Sequence, residues 1–236
     1  RVDEFDIVQD NQSMGYGLLG IERAGLPVLG TIHHPITVDR ELDLAHASGL
    51  RRRLSLRRWY GFLRMQLRVA PQIPRVVTVS TNSKTDIAAQ MGVPLDHMTV
   101  VPIGVDELMF RPLPHIARVP GRLMTTASAD VPLKGLSFLL EALAKARVER
   151  PDAHLVVIGR LKEGSSVPAL IESLGLEGAI EFVSGVTDER IVELYAEAEL
   201  AVVPSLYEGF SLPAIEAMAT GICLVATDGG ALPEVT

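Results

Sequence analysis

The chain lacks the features that mark several classes of protein. Its 236 residues include a single cysteine, Cys223, which we expect to be a small core residue in a reducing compartment. No apolar run approaches the roughly 18 residues that a transmembrane helix requires, and no signal peptide opens the sequence. The net charge of −7 argues against a nucleic-acid-binding protein. These absences predict a cytoplasmic location and no nucleic-acid partner.

Composition indicates a globular protein with a well-formed core. Hydrophobic residues make up 47% of the chain and charged residues 22%. A chain of this length can hold one large domain or two smaller ones. Both ends look cut, because only a few residues precede the first predicted strand and the chain stops just after a Gly-Gly turn. We therefore expect the middle part of a longer protein.

Short apolar runs alternate with helical patterns, and this alternation predicts an α/β protein with parallel sheets. In the first half, strands are predicted at residues 5–8, 27–32, 76–80 and 99–102, and a helix at 82–91. In the second half, strands are predicted at residues 123–126, 154–158, 180–183, 200–203 and 222–226, and helices at 136–147, 168–174, 189–198 and 213–220. Pro112, Pro114 and Pro120 mark a linker, so we predict two lobes, residues 1–110 and 111–236.

The segment of residues 205–221 lies between the last two predicted strands and carries two carboxylates. Glu208 lies in a loop and Glu216 in the first turn of a helix, which Pro213 can begin because its fixed φ suits that position. A helix start attracts phosphate through its free N–H groups and its dipole, and carboxylates accept hydrogen bonds from hydroxyls. A ligand with both groups, such as a nucleotide sugar, fits this arrangement. Two solvated glutamates are the alternative interpretation.

The sequence E-G-F-S-L-P-A-I-E-A-M-A at residues 208–219 resembles the E-x7-E signature of the retaining family-4 glycosyltransferases, also called glycosyl transferases group 1. The resemblance implies the GT-B fold, in which two Rossmann-like α/β lobes with parallel sheets enclose a cleft. It also implies transfer of a sugar from a nucleoside-diphosphate sugar to a sugar, lipid or polyol acceptor, with retention of the anomeric configuration.

The same resemblance assigns roles to residues of this motif. It implies that Glu208 holds hydroxyls of the transferred sugar and that Glu216 holds the ribose hydroxyls. It also implies that the backbone after the strand at 180–183 lies near the nucleobase. The residues that it places around the donor are Gly209, Phe210, Ser211, Leu212, Glu216 and Val186.

The resemblance adds Lys134 to Glu208 as a catalytic residue. Lys134 is followed by glycine and matches the family's K-G, so it can place a positive charge on the diphosphate; a solvated surface lysine is the alternative. The family usually has an arginine six residues before this lysine, where the chain has Ser128. Diphosphate binding is then either weaker or served by another residue.

A histidine completes the catalytic set that the resemblance implies. His33 ends the second predicted strand in the sequence T-I-H-H-P, and the family's T-x-H pattern implies that it contacts the donor sugar from the opposite lobe. His34 is the second candidate, and a structural role is the alternative. This arrangement requires the lobes to close for catalysis.

No Asp-x-Asp pair is present that would suit a divalent ion on the diphosphate. Lys134 and the backbone N–H groups around residues 209–213 would then supply the positive charge that the leaving group needs. We therefore predict that the protein uses no metal and no other cofactor.

Residues 51–68 differ from the rest of the chain, because they contain seven arginines and no acidic residue. On a helix, Arg53, Arg57, Arg64 and Arg68 form one stripe. The apolar stripe beside it consists of Leu56, Trp59, Tyr60, Leu63 and Leu67. One interpretation is a helix that lies on an anionic membrane, such as the inner face of the plasma membrane. The other is a helix that packs its apolar stripe on the first lobe and leaves the arginines in water.

Three other functions are compared with glycosyl transfer. A sugar-nucleotide 2-epimerase and a non-catalytic nucleotide-sugar-binding relative remain open, because both can have the same fold. A dehydrogenase that uses NAD is disfavoured, since no G-x-G-x-x-G follows a predicted strand and the match at Gly15 and Gly17 is too short.

Overall fold

The computed structural model describes residues 4–47, 49–126, 131–161 and 164–236, and the chain divides into two compact units. The first unit comprises Arg1–Ile103 with Glu208–Phe210, and the second comprises Gly104–Tyr207 with Ser211–Thr236. The division between them therefore follows residue 103, whereas the sequence predicted it after residue 110. The reason for the difference is Phe110, which packs into a hydrophobic cluster of the second unit.

The first unit contains a four-stranded parallel sheet in the order β1-β2-β3-β4. Its strands are β1 (Val8–Asn11), β2 (Val28–Thr31), β3 (Val76–Thr78) and β4 (Met98–Val100). Its helices are α1 (Tyr16–Arg23), α2 (Ile36–His46), α3 (Leu50–Trp59), α4 (Leu63–Val69) and α5 (Thr81–Met91). Its core includes Met14, Ile32, Ile73 and Ile87, each fully buried.

The second unit contains a five-stranded parallel sheet in the order β7-β6-β5-β8-β9. Its strands are β5 (Arg122–Thr126), β6 (His154–Ile158), β7 (Ile180–Val183), β8 (Leu200–Val203) and β9 (Cys223–Ala226). Its helices are α6 (Leu136–Glu149), α7 (Val167–Ser173), α8 (Asp188–Glu197), α9 (Leu212–Ala219) and α10 (Leu232–Val235). The predicted α/β class with two parallel sheets is confirmed.

Two predictions at sheet edges are wrong. The first strand runs over Val8–Asn11 rather than residues 5–8, because Phe5 and Ile7 are 61% and 51% exposed and contribute no core. Cys223 is exposed rather than buried, since it begins the edge strand β9. An apolar run alone does not distinguish an edge strand from a central one.

The arginine-rich segment is not one continuous helix. A 3-10 turn at Tyr60–Phe62 separates α3 from α4. Leu56, Tyr60 and Leu63 are buried and pack with apolar residues of α2, so they are not available as a lipid-contacting stripe. Trp59, in contrast, is 72% exposed. Within the described ranges, none of the helices is both long enough and apolar enough to cross a membrane.

Candidate functional site

In the first unit, His33 is held by polar residues at the end of the neighbouring strand. The strands β1 and β2 are parallel neighbours, so their carboxyl ends lie at the same edge of the sheet. His33 Nε2 lies 2.8 Å from Asn11 Oδ1, and the His33 backbone N–H donates to Gln12 Oε1 at 2.8 Å. The Gln12 amide nitrogen donates in turn to the carbonyl oxygen of His34 at 2.9 Å. The T-I-H-H-P turn is therefore fixed by its neighbours.

The turn that follows β1, which contains Gln12, is in an unfavourable backbone conformation. Gln12 and Met14 have positive φ angles of 61° and 46°, which residues other than glycine seldom adopt. The buried side chain of Gln66 donates to the Gln12 carbonyl oxygen at 2.8 Å and helps to maintain this turn. Sequence reasoning missed Asn11 and Gln12. Two consecutive amide side chains at the end of a strand would have indicated a polar site. The predicted strand ended at residue 8, however, so Asn11 and Gln12 were not placed at its end.

The two adjacent histidines have different environments. His34 Nε2 lies 2.7 Å from Asp39 Oδ2, in the first turn of α2. Burial and the charge of His34 lower the pKa of His33, so its ring is neutral at neutral pH. Because Asn11 Oδ1 accepts a hydrogen bond from Nε2, the Nδ1 atom of His33 is left as an acceptor. This geometry favours His33 over His34 as a ligand-binding residue.

The segment Glu208–Phe210 belongs to the first unit, where two serines bind its backbone. Ser80 Oγ and Ser83 Oγ both donate to the carbonyl oxygen of Gly209, at 2.7 and 3.0 Å. A Cβ atom at Gly209 would lie 2.7 Å from the His33 carbonyl oxygen, so only glycine permits this approach. The segment is thus held next to the ends of β2 and β3, and Glu208 is only 8% exposed.

In the second unit, Lys134 lies in a loop that is packed tightly on the end of β8. It ends the 3-10 turn Pro132–Lys134, and Gly135 follows with a positive φ of 64°. A Cβ atom at Gly135 would lie 1.9 Å from the carbonyl oxygen of Pro204, the residue after β8. The backbone N–H of Leu206 also donates to the Leu133 carbonyl oxygen at 2.7 Å. These contacts fix the position of Lys134 at the carboxyl edge of the sheet.

Ser211, the residue before α9, has a strained backbone and a hydroxyl that forms no hydrogen bond with the described residues. Ser211 has φ 91° and ψ 85°, and only 4% of its surface is exposed. Its Oγ atom is buried without a hydrogen-bond partner in the part of the chain that the structure describes. Buried hydroxyls normally have partners, and strained backbone of this kind concentrates at ligand sites. Ser211 therefore points to a ligand with an acceptor group at the start of α9.

Glu216 lies in α9 and is half-buried. Burial raises the pKa of Glu216, the hydroxyl of Tyr195 acts in the opposite direction, and the charge of Asp188 adds to the increase. Tyr195 is buried, and its hydroxyl donates to the carbonyl oxygen of Pro213 at 3.3 Å. Tyr195 therefore supports the first turn of α9 from α8. Sequence reasoning missed it, because a tyrosine on a helix has no signal of its own.

Other predicted donor residues lie at the same carboxyl edge of the second sheet. Leu212 begins α9, and Val186 lies past the end of β7, an edge strand that β6 separates from β5. Gly229, after β9, lies so close to Leu206 that a Cβ atom there would be 2.6 Å from its carbonyl oxygen. The loops after β8 and β9 therefore pack against each other.

One part of the predicted site has no structural account. Ser128, which stands where the family usually has an arginine, lies outside the described residues. Among the residues that are described, no group of three or more histidine, cysteine, aspartate or glutamate side chains is arranged to hold a metal ion.

Two sequence families match the chain. Residues 1–107 match the family described as Glycosyltransferase Family 4, and residues 118–236 match the one described as Glycosyl transferases group 1. The chain is also similar to the MMP alpha-(1->4)-mannosyltransferase of Mycolicibacterium hassiacum, with 50% identity over 235 residues that cover 100% of this chain and 56% of that protein. The chain spans about half the length of the curated relatives that it matches.

Two solved structures have a similar fold. Sucrose-phosphate synthase from Thermosynechococcus elongatus has a TM-score of 0.78 at 20% identity, and the match covers 97% of this chain and 57% of that one. The Anabaena protein HepE, in complex with UDP-glucose, has a TM-score of 0.77 at 22% identity, and the match covers 100% of this chain and 64% of that one. At these identities the likeness concerns the fold alone.

Proposed function

Since the chain belongs to the glycosyl transferases group 1, we propose that the protein transfers a sugar from a nucleoside-diphosphate sugar to an acceptor and retains the anomeric configuration. The family membership and the GT-B fold predicted from the E-x7-E motif are confirmed. The observation that carries the proposal is Ser211, whose strained backbone and unpartnered buried hydroxyl lie at the start of α9. The 50% identity to a mannosyltransferase supports mannose as the transferred sugar.

The proposed diphosphate site consists of residues at the carboxyl edge of the second sheet. Lys134, the Ser211 hydroxyl and the free N–H groups of the first turn of α9 would neutralise the charge that develops on the leaving diphosphate. The tight packing around Gly135 holds the lysine in place before the donor arrives. Preorganised charge of this kind needs no metal ion, so the metal-free mechanism stays part of the proposal.

The proposed sugar-binding residues are Glu208 and His33. The Glu208 carboxylate would accept hydrogen bonds from hydroxyls of the transferred sugar, and Ser80 and Ser83 hold its loop. The neutral His33 would accept a sugar hydroxyl at Nδ1, because its Nε2 is occupied by Asn11. We assign no nucleophile.

The remaining donor contacts are proposed from the same motif. Glu216 would accept hydrogen bonds from the ribose hydroxyls, and its half-buried position leaves part of the carboxylate accessible. The backbone at Val186 would lie near the nucleobase. Gly209, Phe210 and Leu212 would contribute the surrounding surface.

The test is turnover by the complete protein with UDP-, GDP- and ADP-sugars and candidate acceptors. We expect Glu208→Gln to lower turnover by about a hundredfold or more without unfolding the protein. Glu177→Gln is the matched control, because it removes the same charge from an exposed loop. Near-normal turnover in Glu208→Gln would contradict the assignment. Epimerised donor formed without any acceptor would instead indicate a 2-epimerase.

We also propose a cytoplasmic protein that attaches to an anionic membrane surface through Arg53, Arg57, Arg64 and Arg68. These four arginines are exposed, and so is Trp59 between them. The apolar contact would then come from Trp59, since the predicted stripe is packed on α2. Flotation with vesicles that contain acidic lipid tests this proposal, and flotation that does not depend on the four arginines contradicts it.

A further inference from the structure

The first unit contains a cavity of about 550 Å³ between α2 and the pair α3 and α4. Four arginines line it: Arg40 on α2, Arg57 and Arg58 on α3, and Arg64 on α4. Small-molecule sites occupy roughly 300–1,000 Å³, so the cavity has room for an organic ligand. All residues that line it belong to the first unit, whereas the residues of the proposed diphosphate site belong to the second.

The 3-10 turn explains why these arginines meet. On an unbroken helix, Arg58 and Arg64 would point about 120° apart, because each residue turns the helix by about 100°. Between them, Tyr60–Phe62 forms a 3-10 turn, which rotates by about 120° per residue instead of about 100°, and both side chains line the same cavity. The sequence pattern predicted a single arginine stripe, which contains Arg57 and Arg64 but not Arg58.

The four guanidinium groups are not neutralised by the protein. None of them forms a hydrogen bond or ion pair with a residue in the described ranges. Among the described residues that line the cavity, Glu41 alone is acidic, so positive charge predominates on its wall although the chain as a whole has a net charge of −7. Arg57, Arg58 and Arg64 are exposed, so water screens their repulsion, and an anion that enters the cavity would meet several guanidinium groups at once.

The rest of the wall is apolar. Leu63 and the ring of Tyr60 are buried in it. The Tyr60 hydroxyl is already used, because it donates to Asp43 Oδ2 at 2.7 Å. Burial and this hydrogen bond raise the pKa of Tyr60, so the phenol stays neutral beside the arginines.

We propose that this cavity binds a phosphate group with an organic substituent. The planar guanidinium groups match phosphate oxygens through paired hydrogen bonds, and the apolar wall accommodates the substituent. The phosphate comes either from the headgroup of an acidic lipid or from a soluble organic phosphate. The site goes beyond the proposed glycosyl transfer, since none of its residues belongs to the proposed donor site.

The experiment compares two double variants that lose the same charge from the same segment. Arg57→Gln with Arg64→Gln removes two arginines of the cavity. Arg51→Gln with Arg52→Gln is the matched control, since both residues are exposed on α3, do not line the cavity and are not among the four arginines of the proposed membrane surface. Binding of inorganic phosphate and of glycerol 3-phosphate is measured by calorimetry. Flotation is measured with phosphatidylcholine vesicles with and without phosphatidylglycerol.

We expect the cavity variant to bind about tenfold or more weakly than wild type, and the control to bind like wild type. Loss of glycerol 3-phosphate binding in the cavity variant alone assigns a soluble ligand. Loss of flotation with phosphatidylglycerol in that variant alone, with no binding of the soluble probes, assigns a lipid headgroup. Equal losses in the two double variants would show a diffuse charge effect and overturn the proposal, as would the absence of binding to every probe. Equal thermal midpoints in the absence of ligand show that the two variants fold alike.

Discussion

Replacing Ser211 by glycine and, separately, by alanine will distinguish two effects that the serine combines. Its backbone has φ 91°, and its buried hydroxyl has no partner among the residues described. Glycine removes both the Cβ atom and the hydroxyl. Alanine removes the hydroxyl but keeps the backbone strain. The pair of variants therefore measures strain and hydrogen-bonding capacity one at a time.

The expected gain in stability follows from typical energies. A residue other than glycine in such a backbone region costs about 1–3 kcal/mol, and the greater freedom of glycine in the unfolded chain offsets about 0.5–1 kcal/mol of the relief. A buried hydroxyl without a partner costs about 1–3 kcal/mol. We therefore expect the ligand-free protein to be stabilised by about 1 kcal/mol or more in Ser211→Ala, and by about 1 kcal/mol further in Ser211→Gly.

Donor binding should change in the opposite direction. A hydrogen bond to a charged phosphate contributes about 1.5–3 kcal/mol, so both variants should bind the nucleotide sugar about 10- to 100-fold more weakly than wild type. Thermal midpoints without donor test the stability order, and calorimetry with donor tests the affinity. Unchanged donor affinity in both variants would refute the role of the hydroxyl. Equal midpoints for the glycine and alanine variants would refute the strain argument.

Three further predictions concern the same site. Gly135→Ala should lower the free energy of unfolding by about 3 kcal/mol, measured by denaturant, because the Cβ atom would meet the Pro204 carbonyl oxygen; an unchanged denaturation midpoint would contradict this. Ser80→Ala should lower turnover and cost about 1 kcal/mol of stability, since Ser80 caps α5 as well as holding Gly209; full turnover would show that the Gly209 contact is dispensable. Donor affinity should fall as the pH falls through a range above 4.5, because the raised pKa of Glu216 lets its carboxylate take up a proton there. The stability of the donor-free protein depends on pH in the opposite direction. The stabilising contribution of Glu216 is present below pH 4.5 and is lost as the pH rises through its raised pKa. Glu216→Gln should abolish the pH dependence of donor binding, and an equal slope in wild type and variant would rule out Glu216.

The sequence predicted three strands of the second sheet without error. The strands β6, β7 and β8 have the predicted bounds, because buried parallel strands leave short apolar runs between clear helical patterns. The helix α9 was also predicted to within one residue at each end, since Pro213 marks its first turn.

Features that depend on contacts distant in the sequence were not predictable in this way. Nothing in the sequence around Gly209 shows that its carbonyl oxygen accepts from Ser80 and Ser83. The positive φ of Ser211 was also hidden, because serine has no preference for that region. The break between α3 and α4 did have a signal, namely Gly61 inside the 3-10 turn, and helical periodicity alone overlooks it.

The close approach of Gly135 to Pro204 also restricts how this gene can vary. Every amino-acid change that a single base substitution makes at a glycine codon introduces a side chain, and at this position there is no space for one. We therefore expect selection to act against such changes for a steric reason, independent of any contact with a ligand.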